Sequence, residues 1–297
     1  MKEGEASKTA EYNALFRAME TYRRPRKKRL FVDALASSFL GAKARRYFIF
    51  SRIPLFGHLI LRYIDKKWPG VRSSALGRTC WIDDQLRNAL QNGIEQLVIL
   101  GAGYDCRAYR IPSIEKISVF ELDHPSTLVI KKDLLLSKLP TLPKYVTYIE
   151  IDFDRQDISS LLLSTSFDRH RPTFFLWEGV MHYLTAEAVD HTLRTIASIA
   201  VKGSYLLFTY IHRGLLDGTV QFGKLGEVPS TLQESSENWI FGLYPEHLSE
   251  YLNDRGFTLI KDIGSKEYRA KYMGSSGRHL KGFEFYRIAL AKTDEKN

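Results

Sequence analysis

Apolar residues in the first 95 positions recur at three- and four-residue steps. They do so in Tyr12, Leu15, Phe16 and Met19, and again in Leu30, Phe31, Leu35, Phe39 and Leu40. That is the spacing of one buried helix face, so residues 1–95 are expected to form a helical cap. Near residue 97 the rhythm changes. Short apolar runs at 96–100, 117–123, 145–151, 173–177 and 203–210 read as strands. Helical spacing falls between them, at 125–139 with Pro125 in a favoured first-turn position, and at 185–200 with Thr185 as N-cap. A helix at 245–255 and two strands, 257–263 and 283–292, close the chain. This alternation predicts an α/β fold, a mostly parallel, Rossmann-like sheet of seven strands over residues 96–297. The last two strands are expected to be joined by a short polar connection, with at least one running antiparallel. Residues 212–240 are polar and irregular and read as a lid or insertion.

The run at 47–64 is the most apolar, but it carries Arg52, His58 and Arg62 and is interrupted by Pro54. It is too broken to span a membrane. Two ordinary helices packed on a core are the favoured reading, and an interfacial helix is the alternative. Residues 1–22 have neither the apolar stretch nor the cleavage site of a secretory leader. With 44% hydrophobic and 26% charged residues, the chain has ordinary globular usage, which excludes disorder. The net charge is +9, but six of the basic residues sit at 23–29, so the rest is only mildly basic. Without interleaved aromatics or a nucleic-acid module, that run reads as a solvated connection, and nucleic acid is a disfavoured partner. Two cysteines, Cys80 and Cys106, make no disulfide framework and no metal spacing. The expectation is a cytoplasmic protein with no metal site.

Chemistry enters at the turn Gly101-Ala-Gly-Tyr-Asp105, directly after the first strand. Gly101 and Gly103 let a ligand approach the main chain, and Asp105 can cap the next helix. About twenty residues on, Asp123 or Glu121 stands where a ribose diol would be read. A dinucleotide fingerprint wants a third glycine at 106, where this chain has Cys106, and no GxxxxGK[ST] cradle is present. S-adenosyl-L-methionine carries no phosphate to be cradled, so the departure favours it over NAD.

Three motifs, Leu100-Gly-Ala-Gly-Tyr-Asp-Cys-Arg-Ala-Tyr-Arg110, Phe120-Glu-Leu-Asp-His-Pro125 and Trp177-Glu-Gly-Val-Met-His-Tyr-Leu-Thr185, resemble the leucine carboxyl methyltransferase-like family of S-adenosylmethionine-dependent enzymes. Leu15-Phe-Arg-Ala-Met-Glu20 and Leu30-Phe-Val-Asp-Ala-Leu-Ala36 look like its N-terminal helices. The likeness is to the bacterial and polyketide-tailoring branch more than to the enzyme that acts on a phosphatase tail. It implies the class I methyltransferase fold and the cofactor S-adenosyl-L-methionine. Arg78 then matches the arginine on the cofactor's carboxylate, Gly101 and Gly103 the turn beside its methionine part, and Asp123 the acid on the ribose. Asp152 and Phe153 match the pair that reads adenine, and Glu178 stands where the ammonium would lie. Bland alternatives stand beside these: a surface arginine at Arg78, an N-cap at Asp123, a strand-end turn at Asp152, and Arg110 as a structural partner for Glu178.

Methyl transfer from a sulfonium asks mainly for alignment and exclusion of water. A carboxylate acceptor needs no base, whereas a phenol, with a pKa of about 10, profits from one. His182, Tyr183, Tyr210 and His212 fall at strand ends where an acceptor fits. The reading is an O-methyltransferase acting on a carboxylate or hydroxyl of a small molecule. A protein C-terminus is the alternative acceptor, with an NAD-dependent oxidoreductase or a nucleic-acid-binding protein as readings of another class.

Overall fold

The computed structural model describes residues 8–294 except 24, 154, 223–238 and 280. Seven strands among them form one sheet: β1 (Gln96–Leu100), β2 (Ser118–Asp123), β3 (Val146–Glu150), β4 (Thr173–Trp177), β5 (Tyr205–Ile211), β6 (Phe257–Ile263) and β7 (Tyr286–Thr293). Their order is β3-β2-β1-β4-β5-β7-β6. The first five pair in parallel, and β7 lies antiparallel between β5 and β6. The chain reverses at β1 and β4, which is where ligands bind in open α/β sheets.

The helices are α1 (Lys8–Arg23), α2 (Ala42–Ser51), α3 (Pro54–Lys67), α4 (Val71–Gln91), α5 (Arg107–Arg110), α6 (Pro125–Leu136), α7 (Ile158–Leu163), α8 (Ala186–Ile199), α9 (Arg213–Leu216), α10 (Leu248–Asn253) and α11 (Ser265–His279). Alternate side chains of β1 enter opposite cores. Val98 and Leu100 join α7, α8 and α10, while Leu97 and Ile99 join Trp81, Ile82 and Leu86 of α4 and Tyr268 of α11. α1, α2 and α3 close a third core over Tyr104 and Cys106 of the glycine turn. No helix of the described residues is long and apolar enough to cross a membrane.

Several elements differ from expectation. The stretch 30–40 holds only one 3₁₀ turn, Ala36–Phe39. There the side chains of α1 and Asp33 take the backbone donors a helix would use. Leu30 N–H donates to Glu20 Oε1 (2.9 Å), Asp33 N–H to Thr21 Oγ1 (2.8 Å) and Ala36 N–H to Asp33 Oδ1 (3.0 Å). Phe31, Phe39 and Leu40 are buried all the same. The connection between the last two strands is not short and polar. It contains α11, kinked at Gly274 (φ 57°) and packed on α4 where Gly77 leaves room. A Cβ at Gly77 would lie 2.6 Å from Tyr268 Cδ2. α7, opened by Asp157 accepting from Ser160 N–H (2.8 Å), has no counterpart in the expectation. The run 47–64 resolves into α2 and α3, with Pro54 in the first turn of α3. Of the expected lid at 212–240, the short helix α9 and the residues flanking it are described, and 223–238 lie outside the described residues.

Candidate active site

β1 ends at Leu100, and the turn after it needs glycine for two different reasons. Gly101 has φ +68°, and a Cβ there would meet Val180 Cγ2 at 2.2 Å. Gly103 has φ +42°, a conformation strained for other residues, while a Cβ there would meet Ala10 Cβ only in ordinary contact at 3.7 Å. Its N–H donates to Asp123 Oδ2 (2.5 Å), while Asp123 Oδ1 accepts from His124 N–H (2.6 Å). Burial pushes the Asp123 carboxyl up, and those two N–H groups oppose the push. Asp123 is therefore tied to the turn and keeps lone pairs for a further donor. The N-cap of α6 is His124, not Asp123. Glu121, the other acid on this strand face, is fully buried against Lys131 Nζ (2.8 Å) and Tyr109 Oη (3.1 Å), a structural role.

Next to the turn lies a buried cluster of four arginines and four acids drawn from distant parts of the chain. Glu178, just past β4, accepts from Arg78 Nε (2.6 Å) and Arg107 Nη1 (2.8 Å). Arg107 also binds Asp83 Oδ1 (2.9 Å) and Asp105, and Arg110 binds Asp83 (2.6 Å). Arg17 binds Asp33 (2.9 Å) and donates to Tyr104 O (2.5 Å). Against the upward push of burial, Arg110 and Arg107 hold Asp83 low, and Arg107 and Arg78 do the same for Glu178. Arg110 is thus the partner of Asp83, so the bland alternative that set it against Glu178 does not hold; Arg78 and Arg107 take that place. The unforeseen members are Arg17, Asp33, Asp83 and Arg107, and Asp105 was expected only as a helix cap; Arg107 and Asp105 lie within the glycine-turn motif, and Asp83 shares α4 with Arg78. Unpaired buried charges are costly, so eight of them in one place argue for one another.

Arg78 is not a surface arginine. It is buried on α4, its Nη2 donates to Asn13 Oδ1 (3.2 Å), and its guanidinium lies 4.8 Å from the Tyr286 ring centroid. No hydrogen bond among the described residues engages Nη1. Asp152 and Phe153 come after β3, beside the end of β2, where Ile151 N–H donates to Asp123 O (2.9 Å). Asp152 N–H donates to Gln156 Oε1 (2.8 Å), so a strand-end turn is built here as well.

The acceptor candidates separate. His182 is buried on the 3₁₀ turn Met181–Tyr183, with ring centroids of Tyr183, Trp239 and Tyr286 at 4.2, 5.3 and 5.8 Å. Burial and the nearby Arg78 push its imidazole down to about 3. Tyr286 joins this group by its ring, and its hydroxyl shares a hydrogen bond with that of Thr209 (3.0 Å), which also accepts from Gly179 N–H (2.8 Å). Tyr210 is not brought here. Successive strand residues face opposite sides, and its hydroxyl accepts from Arg287 Nε (3.1 Å) beside Asp262. His212 caps α9, its Nδ1 accepting from Gly214 N–H (3.0 Å), and its ring contacts Phe222 and Tyr244. Nothing in the sequence pattern singled out Tyr286, one apolar-flanked position among several in β7.

A family model described as leucine carboxyl methyltransferase matches residues 10–197, which carry the glycine turn, Asp123, Arg78 and Glu178. The chain belongs to the leucine carboxyl methyltransferase family. Its relatives are S-adenosyl-L-methionine-dependent methyltransferases, and that is the family's cofactor. A candidate methyltransferase of this kind from Frankia alni is 30% identical, with 82% of this chain and 83% of that one covered. Another, from Mycobacterium marinum, is 32% identical over 61% of this chain, and the match spans 58% of that relative's length. The fold is similar to a DUF574 family protein from Streptomyces avermitilis (TM-score 0.61, 14% identity, 97% of both chains). It is also similar to a candidate methyltransferase from Thermobifida fusca (TM-score 0.56, 14% identity, 99% and 97%). As a leucine carboxyl methyltransferase family member, the chain has its match end within α8, before the strand that carries Tyr210 and the turn that carries His212.

Proposed function

We propose that the protein transfers the methyl group of S-adenosyl-L-methionine to an oxygen nucleophile of a small molecule, a carboxylate in preference to a hydroxyl. The observation that carries this reading is the Arg78–Glu178 pair beside the Gly103–Asp123 contact. One end offers a cation and an anion to an amino-acid zwitterion, and the other offers an ionised acceptor to a diol. When bound, the cofactor supplies the electrophilic methyl. Arg78 Nη1 would hold its carboxylate, Glu178 its ammonium, Asp123 its ribose, and Asp152 with Phe153 its adenine. The missing side chain at Gly103 would let a ligand approach the main chain. His182, Tyr183 and Tyr286 would shape the acceptor side and exclude water. The weak basicity of His182 supports the carboxylate, which needs no proton removed.

In this reading residues 1–95 act as the cap of a catalytic unit, 96–297, and the cap and 212–240 choose the acceptor. Two buried free thiols, Cys80 and Cys106, support a reducing, cytoplasmic setting. The test is a calorimetric titration with S-adenosyl-L-methionine and with NAD(H), then transfer of labelled methyl to carboxylic acids, phenols and peptide C-termini. Alkali releases methanol from an ester and leaves an ether intact. The Asp123→Ala protein should bind the cofactor about 1.5–3 kcal/mol more weakly while staying folded. Binding of NAD(H) alone, or unchanged affinity in the folded Asp123→Ala protein, overturns the reading.

A further inference from the structure

One feature is unused by the methyltransferase site. Among the described side chains from Ile49 to Tyr63, six large apolar ones are exposed: Ile49 (52%), Phe50 (50%), Ile53 (41%), Phe56 (53%), Leu59 (57%) and Tyr63 (48%). Single exposed apolar residues are ordinary, but this density around one helix–helix turn is not. The inner faces of α2 and α3 are satisfied, since Ala44, Phe48 and Ile64 are buried against the cap core. The outer side chains are therefore not misplaced core residues. Four of them, Ile49, Phe50, Ile53 and Phe56, crowd the turn itself.

The charge around them is one-signed. From 41 to 67 the chain has seven Lys or Arg and a single acid, Asp65, which Arg72 neutralises (2.6 Å). Lys43, Arg45, Arg46, Arg52, Arg62, Lys66 and Lys67 are exposed. Arg52 is held at the tip, its guanidinium 5.7 Å from the Tyr22 ring centroid. A second copy of the chain is a poor occupant of this face, because a two-fold contact sets the same arginines against themselves. A surface that is apolar within and negatively charged at its boundary fits both features at once.

We propose that the α2–α3 hairpin docks on an anionic lipid surface, its apolar tip entering the headgroup region and its cations pairing with lipid phosphates. The balance is that of an interfacial anchor, with apolar insertion helped by electrostatic attraction. The contact presents the cap to the membrane. It does not depend on which acceptor the active site methylates.

The experiment is flotation of the full chain with vesicles of phosphatidylcholine alone and of phosphatidylcholine with phosphatidylglycerol, at low and high salt. Wild-type protein should float with the anionic vesicles and far less with the neutral ones. Arg45→Gln/Arg46→Gln/Arg62→Gln should weaken anionic binding roughly a hundred-fold, at about five-fold per cation. Phe50→Ser/Phe56→Ser should keep the salt-sensitive attraction and lose the fraction that survives high salt. All these residues are exposed, and circular dichroism with cofactor titration confirms that the variants fold. No binding by the wild type, equal binding to neutral vesicles, or indifference to both variants overturns the proposal. So does a concentration-dependent dimer in solution that Phe50→Ser/Phe56→Ser dissolves, since a second copy would then own the face.

Discussion

The two sides of the candidate site are built from opposite materials. On the side proposed for the cofactor, Arg17, Arg78, Arg107 and Arg110 meet Asp33, Asp83, Asp105 and Glu178 in a network that joins α1, α4, the glycine turn and the end of β4. On the side proposed for the acceptor, His182, Tyr183, Trp239 and Tyr286 form an aromatic group. There, His182 Nδ1 and Trp239 Nε1 are buried without a hydrogen-bond partner among the described residues. A network of that kind tolerates few arrangements, because each charge depends on its neighbours. An aromatic group packs in many ways and makes few directional demands. The difference fits the proposed division of labour, a tightly specified place for one cofactor beside a more adaptable place for an acceptor.

The charged side breaks most visibly at Asp83. Arg107 and Arg110 both rely on it, so Asp83→Ala leaves two buried guanidinium groups under-compensated. Urea unfolding should show a loss of about 3–5 kcal/mol. A loss below about 1 kcal/mol would mean that water enters the cluster freely and that the side is less fixed than its contacts imply.

Acid titration sharpens the same side. Burial raises Asp105, but Arg107 and Lys131 outweigh it and hold the carboxyl at about 2, against an ordinary 3.8. A carboxyl depressed in the folded state contributes stability that is full above its unfolded value and lost as pH falls through its folded one. Asp105→Asn should therefore cost about 2 kcal/mol near neutrality, and the gap from wild type should close between about pH 4 and pH 2. Chemical denaturation across that window reads it directly. A gap that stays constant with pH would assign the loss to packing.

The cofactor side was also the more legible one. Strands 96–100 and 173–177 were readable to the residue, because central parallel strands are apolar on both faces. Arg78, Gly101, Gly103, Asp123 and Glu178 stand together around one turn, and their motifs lie within the matched stretch. What the pattern missed depends on partners far along the chain. Residues 30–40 mimic helical spacing, yet Glu20 and Thr21 of α1 hold their backbone open. α11 has little apolar periodicity of its own and is fixed by Tyr268 entering the space at Gly77. Tyr286 reaches Arg78 only because β7 inserts antiparallel beside β5, a pairing that no local signal encodes.

Arg78 tests whether the cap half of the network serves the ligand as well as the fold. Arg78→Lys keeps a cation but loses the planar fork that now spans Glu178 and Asn13. S-adenosyl-L-methionine and S-adenosylhomocysteine, which share the carboxylate, should bind about 1–2 kcal/mol more weakly, with a larger loss for Arg78→Ala. Adenosine lacks that group and should be nearly indifferent. Equal losses for adenosine and S-adenosylhomocysteine would make Arg78 a structural member of the cluster only.

The smallest expected effect concerns the acceptor side, where the prediction is an absence of titration. An ordinary imidazole changes charge between about pH 5 and pH 8 and is the usual choice for a general base. His182 is buried beside Arg78, and both conditions disfavour its charged form, holding it at about 3. It is therefore neutral through the working range and too weak a base to take a proton from a phenol, though an ionised carboxylate asks for none. The ratio of kcat/KM for wild type to that for His182→Gln should accordingly stay flat across about pH 5 to pH 8. His182→Gln keeps a polar side chain and alters the shape of the aromatic group, so both parameters will shift, but by a factor that pH does not change. A limb near neutrality in the wild-type profile that disappears in His182→Gln would show that the imidazole titrates during turnover. That result would move the acceptor from a carboxylate toward a hydroxyl, and it would make the aromatic side as chemically committed as the charged one.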